Sequence, residues 1–357
     1  MFIYENQTCK VKWGGSLSEP FTVRNGVRQG AVSSSFFFAV YIDELLKILR
    51  RKRIGCHING FFLGAFLFAD DIILLSASRN GLQTMVNTCD EFAKSRNLSF
   101  GTNPVASKSK TKCLLFSKKV KEDPKEIVLA GNCLPWVSDV THLGTILQGD
   151  NSFTLDMNEK RRKFNGIANS LLQEFHYASA EVLLKFVETY ASSLYGSQMW
   201  SLFSPECTRL FTSWNILIRQ ILHLDRTTHR FLIEPLSNKS HIQATLVSRF
   251  VRFIESLENN RKFCLRFLLK INLSDMRTVV AQNMVKVRSK YNKEIMESTK
   301  LDSLQVKKNW RYWLPTDDET LKIKGALELK SVVDRELEIP GFSQQESKEL
   351  FDLICST

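Results

Sequence analysis

Phe66-Leu67-Phe68-Ala69-Asp70-Asp71-Ile72-Ile73-Leu74-Leu75-Ser76 sets two adjacent carboxylates between two apolar runs. The runs are too short for helices and read as buried strands joined by a tight turn. Ordinary hairpins place Asn-Gly or Asp-Gly at such a turn because those residues tolerate positive φ, so an acidic pair beside Phe68 and Ile72 needs another reason. Two anions pressed together at the edge of an apolar sheet repel, and a divalent cation relieves the repulsion. A solvated turn is the competing reading of this fragment alone.

The stretch upstream decides between them. Gly26-Val27-Arg28-Gln29-Gly30 is a loop whose glycines bracket Arg28 and Gln29 and leave backbone free to approach a flat or phosphorylated partner. Ser33, Ser34 and Ser35 are candidate N-caps for a helix whose inner stripe is Phe38, Tyr41, Ile42, Leu45 and Leu49. Asp43 on that helix reads as a surface acid.

In this order and spacing, the loop and the Phe68-Ala69-Asp70-Asp71 turn together resemble the palm of reverse transcriptases, those of non-LTR (LINE-type) retrotransposons in particular. Two later stretches agree. Asn103-Pro104 followed by Lys108-Ser109-Lys110-Thr111-Lys112 resembles the lysine segment after the catalytic hairpin, and His142-Leu143-Gly144 resembles the turn known as the primer grip. Beyond residue 150, Trp200, Trp214 and the stretch from Arg219 to His229 resemble the helical thumb of jockey-type elements. The resemblance implies an α+β fold: a partial polymerase palm, an antiparallel sheet with helices, followed by an all-α thumb and C-terminal region.

It also implies an RNA-directed DNA polymerase that takes an RNA template, a DNA primer and deoxynucleoside triphosphates, with a two-ion Mg²⁺ site. Asp70 is then a direct metal ligand. Asp71 is a second ligand or a neighbour shaping the site. Gln29 and Gly30 pack beneath template and nucleotide, and Arg28 lies near phosphate unless it is a plain surface cation. Phe68 meets the sugar of the incoming nucleotide, or is simply a strand residue. Lys108 is the match to the lysine near the triphosphate, with Lys110 and Lys112 competing.

Departures from the family pattern bear on activity. Ala31 and Ser33-Ser34-Ser35 stand where an acidic or small residue and then Leu-Ser-Pro are usual, and the proline is lost. The family's site also needs an aspartate on an upstream strand, whereas residues 1–42 contain none, and Glu5 and Glu19 are their only acids. The expectation is an N-terminally truncated reverse transcriptase that begins after the first catalytic strand. Nucleotidyl transfer uses two divalent ions about 3.5–4 Å apart, bridged by carboxylates from both strands. With Asp70 and Asp71 alone, one side of that cage is open and the chain by itself is expected to be inactive. A non-catalytic nucleic-acid-binding remnant and a domesticated assembly scaffold are the alternatives, separated by whether association depends on salt.

Composition fits a nucleic-acid partner. The 357 residues carry a formal net charge of +12 with 43% apolar content, a globular chain attracted to polyanions. No run approaches the roughly 18 apolar residues of a spanning helix, and the N-terminus lacks a signal-peptide pattern, so no membrane association and a soluble, intracellular protein are expected. The eight cysteines show no Cys-x-x-Cys spacing and read mostly as core thiols.

Three segments are expected: a partial palm over residues 1–150, a basic helical thumb and connection region over 151–313, and an acidic tail over 314–357. Residues 249–308 hold 14 Lys or Arg against 6 Asp or Glu, and residues 314–357 hold 5 against 10. Lys160 to Lys163 read as a further basic cluster. Val11 to Trp13 and Phe21 to Val23 read as a hairpin through Gly14-Gly15, Gly81 to Phe92 as an amphipathic helix, and Val182 to Tyr195 as a continuous helix. An unpaired sheet edge near the Ile72 strand is expected to favour self-association.

Overall fold

The structure, a computed structural model, describes residues 7–23, 30–103, 105–117, 124–237, 239 and 241–291. The acidic tail expected over 314–357 lies outside them. The described residues form two compact units, one ending at Ser138 and the other beginning at Asp139, with Phe116 and Ser117 belonging to the second.

The first unit is α+β. Helix α1, Ser34–Arg51, buries Ile42, Leu45 and Leu49, and helix α2, Arg79–Ser95, buries Met85, Val86, Cys89, Phe92 and Ala93. Both follow the i, i+3, i+4, i+7 spacing of one apolar stripe. Ser78 caps α2 by accepting from the Gly81 amide at 3.1 Å. Ser33 holds the N-cap position of α1 but makes no side-chain capping bond. Tyr41 flanks the stripe instead of lying in it: its ring is 39% exposed, and its hydroxyl donates to the Arg96 carbonyl at 3.3 Å.

The strands Ala65–Phe68 and Asp71–Leu74 pair antiparallel. Ala65, Leu67, Ile72 and Leu74 pack with Ile42, Leu45, Met85, Cys89 and Phe92. Phe66 and Phe68 face solvent. The period of two thus gives a hairpin buried on one face rather than the fully buried strands expected. All the strand pairs among the described residues are two-stranded, and all are antiparallel except the parallel pairing of Trp136–Val137 with Cys113–Leu114. Near the start of the chain, Lys12–Trp13 pairs with Ser16–Leu17 across Gly14-Gly15, and Phe21–Thr22 pairs with Thr8–Cys9 instead of with the Trp13 strand. Gly14 and Gly15 both have positive φ, 51° and 89°, so a two-residue turn closes immediately and the return strand lies nearer than expected.

The second unit opens with the antiparallel hairpin Asp139–His142 and Thr145–Gln148 and continues as helices. These are α3 Thr154–Glu174, α4 Ala180–Phe186, α5 Pro205–Ile221, α6 Arg230–Ser237, α7 Ile242–Glu258, α8 Phe263–Ser274 and α9 Val279–Tyr291. Their shared core includes Phe164, Trp200, Leu202, Trp214, Ile218 and Phe250. On α7, Phe250 and Ile254 are buried while Phe253 and Leu257 pack against the core, the face that their spacing announces.

The helix expected over Val182 to Tyr195 is broken. After α4 comes a π-helical turn, Val187–Ala191, and then the Arg249 guanidinium donates to the carbonyls of Ser192 at 2.9 Å and Ser193 at 2.6 Å. The Ser192 amide bonds the Val187 carbonyl five residues back at 3.0 Å, and Leu194 has φ 35°, a left-handed conformation that does not continue a helix. Among the seven described cysteines only Cys89, Cys113 and Cys207 are buried, fewer than expected, and burial pushes the Cys89 and Cys207 thiols up to about 12.

Candidate active site

Five hairpins among the described residues close through two-residue loops: Gly14-Gly15, Asn59-Gly60, Ala69-Asp70, Ala130-Gly131 and Leu143-Gly144. Four carry glycine at the second loop position with positive φ at both residues. That is the chemistry a mirror-image turn demands, because its twist matches the twist of the strands. The acidic hairpin is the exception. Ala69 has φ 50°, as Ala130 and Leu143 at the same loop position have 49° and 46°, but Asp70 stands where the others have glycine.

The consequence is a display of acids. Phe68 pairs with Asp71, and both lie on the outward face of the hairpin, while Leu67 and Ile72 hold the inward face to the core. Asp70 projects from the turn itself. Phe68, Asp70 and Asp71 are all exposed, Phe68 at 64%. Two vicinal carboxylates offer hard oxygen donors of the kind that divalent cations of the Mg²⁺ class prefer. Among the described residues no group of three His, Cys, Asp or Glu side chains is arranged to hold a metal.

The other expected site residues fall on separate elements of the same unit. Gly30 lies just before α1 with φ 82°, and a Cβ built on it would meet nothing within 4 Å, so open space surrounds its backbone. Arg28 and Gln29 lie outside the described residues. Lys108 ends a 3₁₀ turn, Ala106–Lys108, and is exposed, as are Lys110 and Lys112. Asn103 shapes the entry to this segment by accepting the Val105 amide at 2.8 Å.

The second unit holds an arrangement that sequence reasoning missed. The Leu143-Gly144 turn sits on a hairpin fixed by a buried carboxylate, that of Asp156 on α3, which is 1% exposed. It accepts from the Ile146 amide at 3.0 Å, from Lys160 Nζ at 2.7 and 2.8 Å, and from Trp200 Nε1 at 2.7 Å. One acid therefore ties the hairpin, the helix and the tryptophan together. Asn283 extends the network by donating to the Trp200 carbonyl at 2.7 Å and accepting the Leu202 amide at 3.1 Å. The sequence signal was the i, i+4 spacing of Asp156 and Lys160.

The same spacing corrects the basic cluster of residues 160–163. Lys160 is held by Asp156 with its side chain 13% exposed, and Lys163 pairs with Glu159 at 2.6 Å. Less of that charge is available to a partner than a count implies.

Residues 2–147 match the family described as reverse transcriptase (RNA-dependent DNA polymerase). A Retrovirus-related Pol polyprotein from the type-2 retrotransposable element R2DM of Drosophila melanogaster is 29% identical over 123 residues, 34% of this chain and 11% of that protein. The corresponding polyprotein from the type-1 retrotransposable element R2 of Nasonia vitripennis is 26% identical over 147 residues, 40% of this chain and 13% of that protein. The matched segment thus spans about a tenth of the length of these relatives. No helix among the described residues is long and apolar enough to cross a membrane. The family match and the two relatives point the same way: residues 2–147 are similar to reverse transcriptases, and both relatives are Pol polyproteins of R2 retrotransposable elements.

Proposed function

We propose that this chain contributes to copying RNA into DNA by nucleotidyl transfer, with residues 1–150 as palm, 151–313 as a basic thumb of the jockey type, and 314–357 as an acidic tail. The observation that carries the reading is the acidic turn: Asp70 stands where the other two-residue loops have glycine, and Asp70 and Asp71 are exposed at the end of a hairpin otherwise anchored in the core. Asp70 and Asp71 would hold the divalent ions, Mg²⁺ by resemblance, which when bound supply charge neutralisation at the transferring phosphoryl group. The chain's own residues bind and orient. Phe68 faces the sugar of the incoming nucleotide, Gly30 with Arg28 and Gln29 forms the template and nucleotide loop, and Lys108 reaches the triphosphate. The basic helices hold the RNA template and DNA primer.

A third carboxylate must come from another strand, and residues 1–42 contain no aspartate. The polypeptide 1–357 alone is therefore expected to bind primer and template without extending the primer. Joined to a family segment bearing the first catalytic strand, it should incorporate nucleotides with Mg²⁺, and Asp70→Asn should abolish that. Template-dependent synthesis that survives Asp70→Asn would overturn the assignment of the metal site.

Binding itself is read against salt. If about five phosphates of a single-stranded RNA are neutralised, log K should fall against log salt with a slope near −3.5, roughly a hundredfold between 50 and 200 mM. Replacing Arg261, Lys262, Arg266 and Lys270 with Gln should flatten the slope, and Asp70→Asn should leave it alone. The same missing aspartate favours a second reading, a nucleic-acid-binding remnant, which predicts this binding but no synthesis from the joined polypeptide. A domesticated assembly scaffold predicts neither, and self-association through the edge of the Ile72 strand would show in light scattering.

A further inference from the structure

Along α1 the charges are paired until the last turn. Asp43 and Lys47 meet at 2.7 Å, and Glu44 pairs with Arg96 at the end of α2. Then Arg50, Arg51, Lys52 and Arg53 follow one another, all four exposed. Lys52 Nζ donates to the buried Thr88 hydroxyl at 2.9 Å. Among the described residues, the guanidinium groups of Arg50, Arg51 and Arg53 have no hydrogen-bond or ion-pair partner. Residues 45–69 hold five Lys or Arg and no Asp or Glu, so no acid adjoins the run in sequence either.

A solvated helix end is the plain reading, because C-terminal helix carbonyls favour cations. That preference covers Arg50 and Arg51, which lie in the last turn, and it fades beyond them. Arg53 lies past the helix with φ 52°, at the left-handed position that glycine usually fills, and its amide bonds the Arg50 carbonyl at 3.2 Å. The backbone thus brings Arg53 back to Arg50. Three guanidinium groups gathered without an acid repel one another and form a site for an anion, and their planar forks suit phosphate oxygens.

Two linkages set this site apart from the acidic turn and the glycine loop. The Cys56 amide donates to the Leu75 carbonyl at 2.9 Å, so the segment after Arg53 is seated at the open end of the hairpin, about 13 Å of strand beyond Asp71. Gly30 precedes the opposite end of α1, whose 18 residues span about 27 Å. The conformation also selects among polyanions. A protein that reads a basic peptide in extended form would need this run unwound, whereas Arg50 and Arg51 are helical and the adjoining Leu49 is 1% exposed in the core. A phosphate backbone asks only for exposed charge.

We propose that Arg50, Arg51 and Arg53 hold phosphates of an RNA strand, at a site apart from the acidic turn. This rests on the proposed binding of RNA and goes beyond it by giving the first unit an RNA contact of its own. The three arginines are binding residues in this role.

The test uses polypeptide 1–357 and a fluorescein-labelled single-stranded RNA, followed by anisotropy at several salt concentrations. Replacing Arg50, Arg51 and Arg53 together with Gln should make the slope of log K against log salt shallower by about 2, three phosphates at about 0.7 each. Replacing the same three with Lys keeps the charge and should keep the slope. A Lys variant that behaves like the Gln variant would assign the loss to the shape of the helix end and overturn the proposal. Replacing Lys10, Lys12 and Lys125, three exposed cations elsewhere in the first unit, with Gln should leave the slope alone; an equal flattening there would reduce the effect to net charge and overturn it too. An unchanged slope in the Arg50, Arg51 and Arg53 Gln variant, while the Arg261, Lys262, Arg266 and Lys270 variant flattens it, overturns this proposal alone and leaves the proposed function standing. Binding by the unsubstituted chain that ignores salt overturns both.

Discussion

The hairpins at 65–74 and 139–148 have the same length and the same two-residue loop, yet they are held in opposite ways. The first rests on apolar side chains along one face and carries its carboxylates at the exposed end. The second is tied by a buried carboxylate to a helix and a tryptophan, and its loop is Leu143-Gly144, with no acid in it. In one case the carboxylates stand exposed at the end of a hairpin that apolar contacts hold. In the other the carboxylate is consumed by the fold. An acidic residue in a sequence does not reveal which of these it will be; the partners that the chain brings to it do.

The sharpest way to break this contrast is to remove one acid from each. Asp156→Ala strands Lys160 and the Trp200 indole in the core and should cost about 3–5 kcal/mol, the usual result of removing one partner of a buried ion pair. Asp70→Asn, on an exposed turn, should change stability by no more than about 0.5 kcal/mol. Urea unfolding of both variants measures the difference. Equal effects would mean that the two hairpins are not held as described.

The contrast extends to the cores of the two units. Among the described residues, the buried polar groups of the first unit are Ser34, Thr88 and Ser109, whereas those of the second include Asp156, Asn215, His241 and Asn283. His241 is 7% exposed, its Nε2 lies 3.1 Å from Asn215 Oδ1, and its Nδ1 accepts the Gln243 amide at 3.1 Å. That pattern suits the neutral ring, with the proton on Nε2. Burial, with the charge of Arg230 adding to it, lowers its pKa from 6.5 to about 4. The unfolded chain therefore takes up the proton first. Stability should be intact above pH 6.5 and should fall as pH drops from 6.5 to about 4, by about 3 kcal/mol in all. His241→Gln should flatten that slope in denaturation curves taken across this range, and an unchanged slope would assign the acid sensitivity to other groups.

How much of this the sequence disclosed follows from the same physics. Local patterns were legible: the stripes of α1, α2 and α7 and the two strands around Asp70 rest on spacing within a few residues, while the turn at Leu143-Gly144 was legible only through resemblance. What depended on distant partners was not. Asp156 meets Trp200 across 44 positions, and Arg249 reaches back 57 to the Ser192 carbonyl. Tyr41 lies at the edge of a stripe, where spacing alone does not decide between core and surface. In the site, the acidic pair was readable because it breaks a turn rule, whereas the left-handed strain of Ala69, shared with Ala130 and Leu143, gave no warning.

That strain supplies the smallest effect and the finest test of the comparison. Four of the five two-residue loops have glycine at their second position, and Ala69-Asp70 has none. A left-handed alanine costs about 1–2 kcal/mol, which Ala69→Gly would relieve in the folded state. Glycine also loosens the unfolded chain, which takes back about 0.4–1 kcal/mol. The net change in unfolding free energy should be a gain of about 0 to 1.6 kcal/mol. Gly144→Ala places the same conflict in the other hairpin in reverse, since φ there is 74° and a new Cβ finds only ordinary contact with Tyr195; it should lose what Ala69→Gly gains. A loss of stability in Ala69→Gly would mean that its methyl group packs against the chain, so that the acidic turn, like the other hairpin, is held by contacts and not merely displayed.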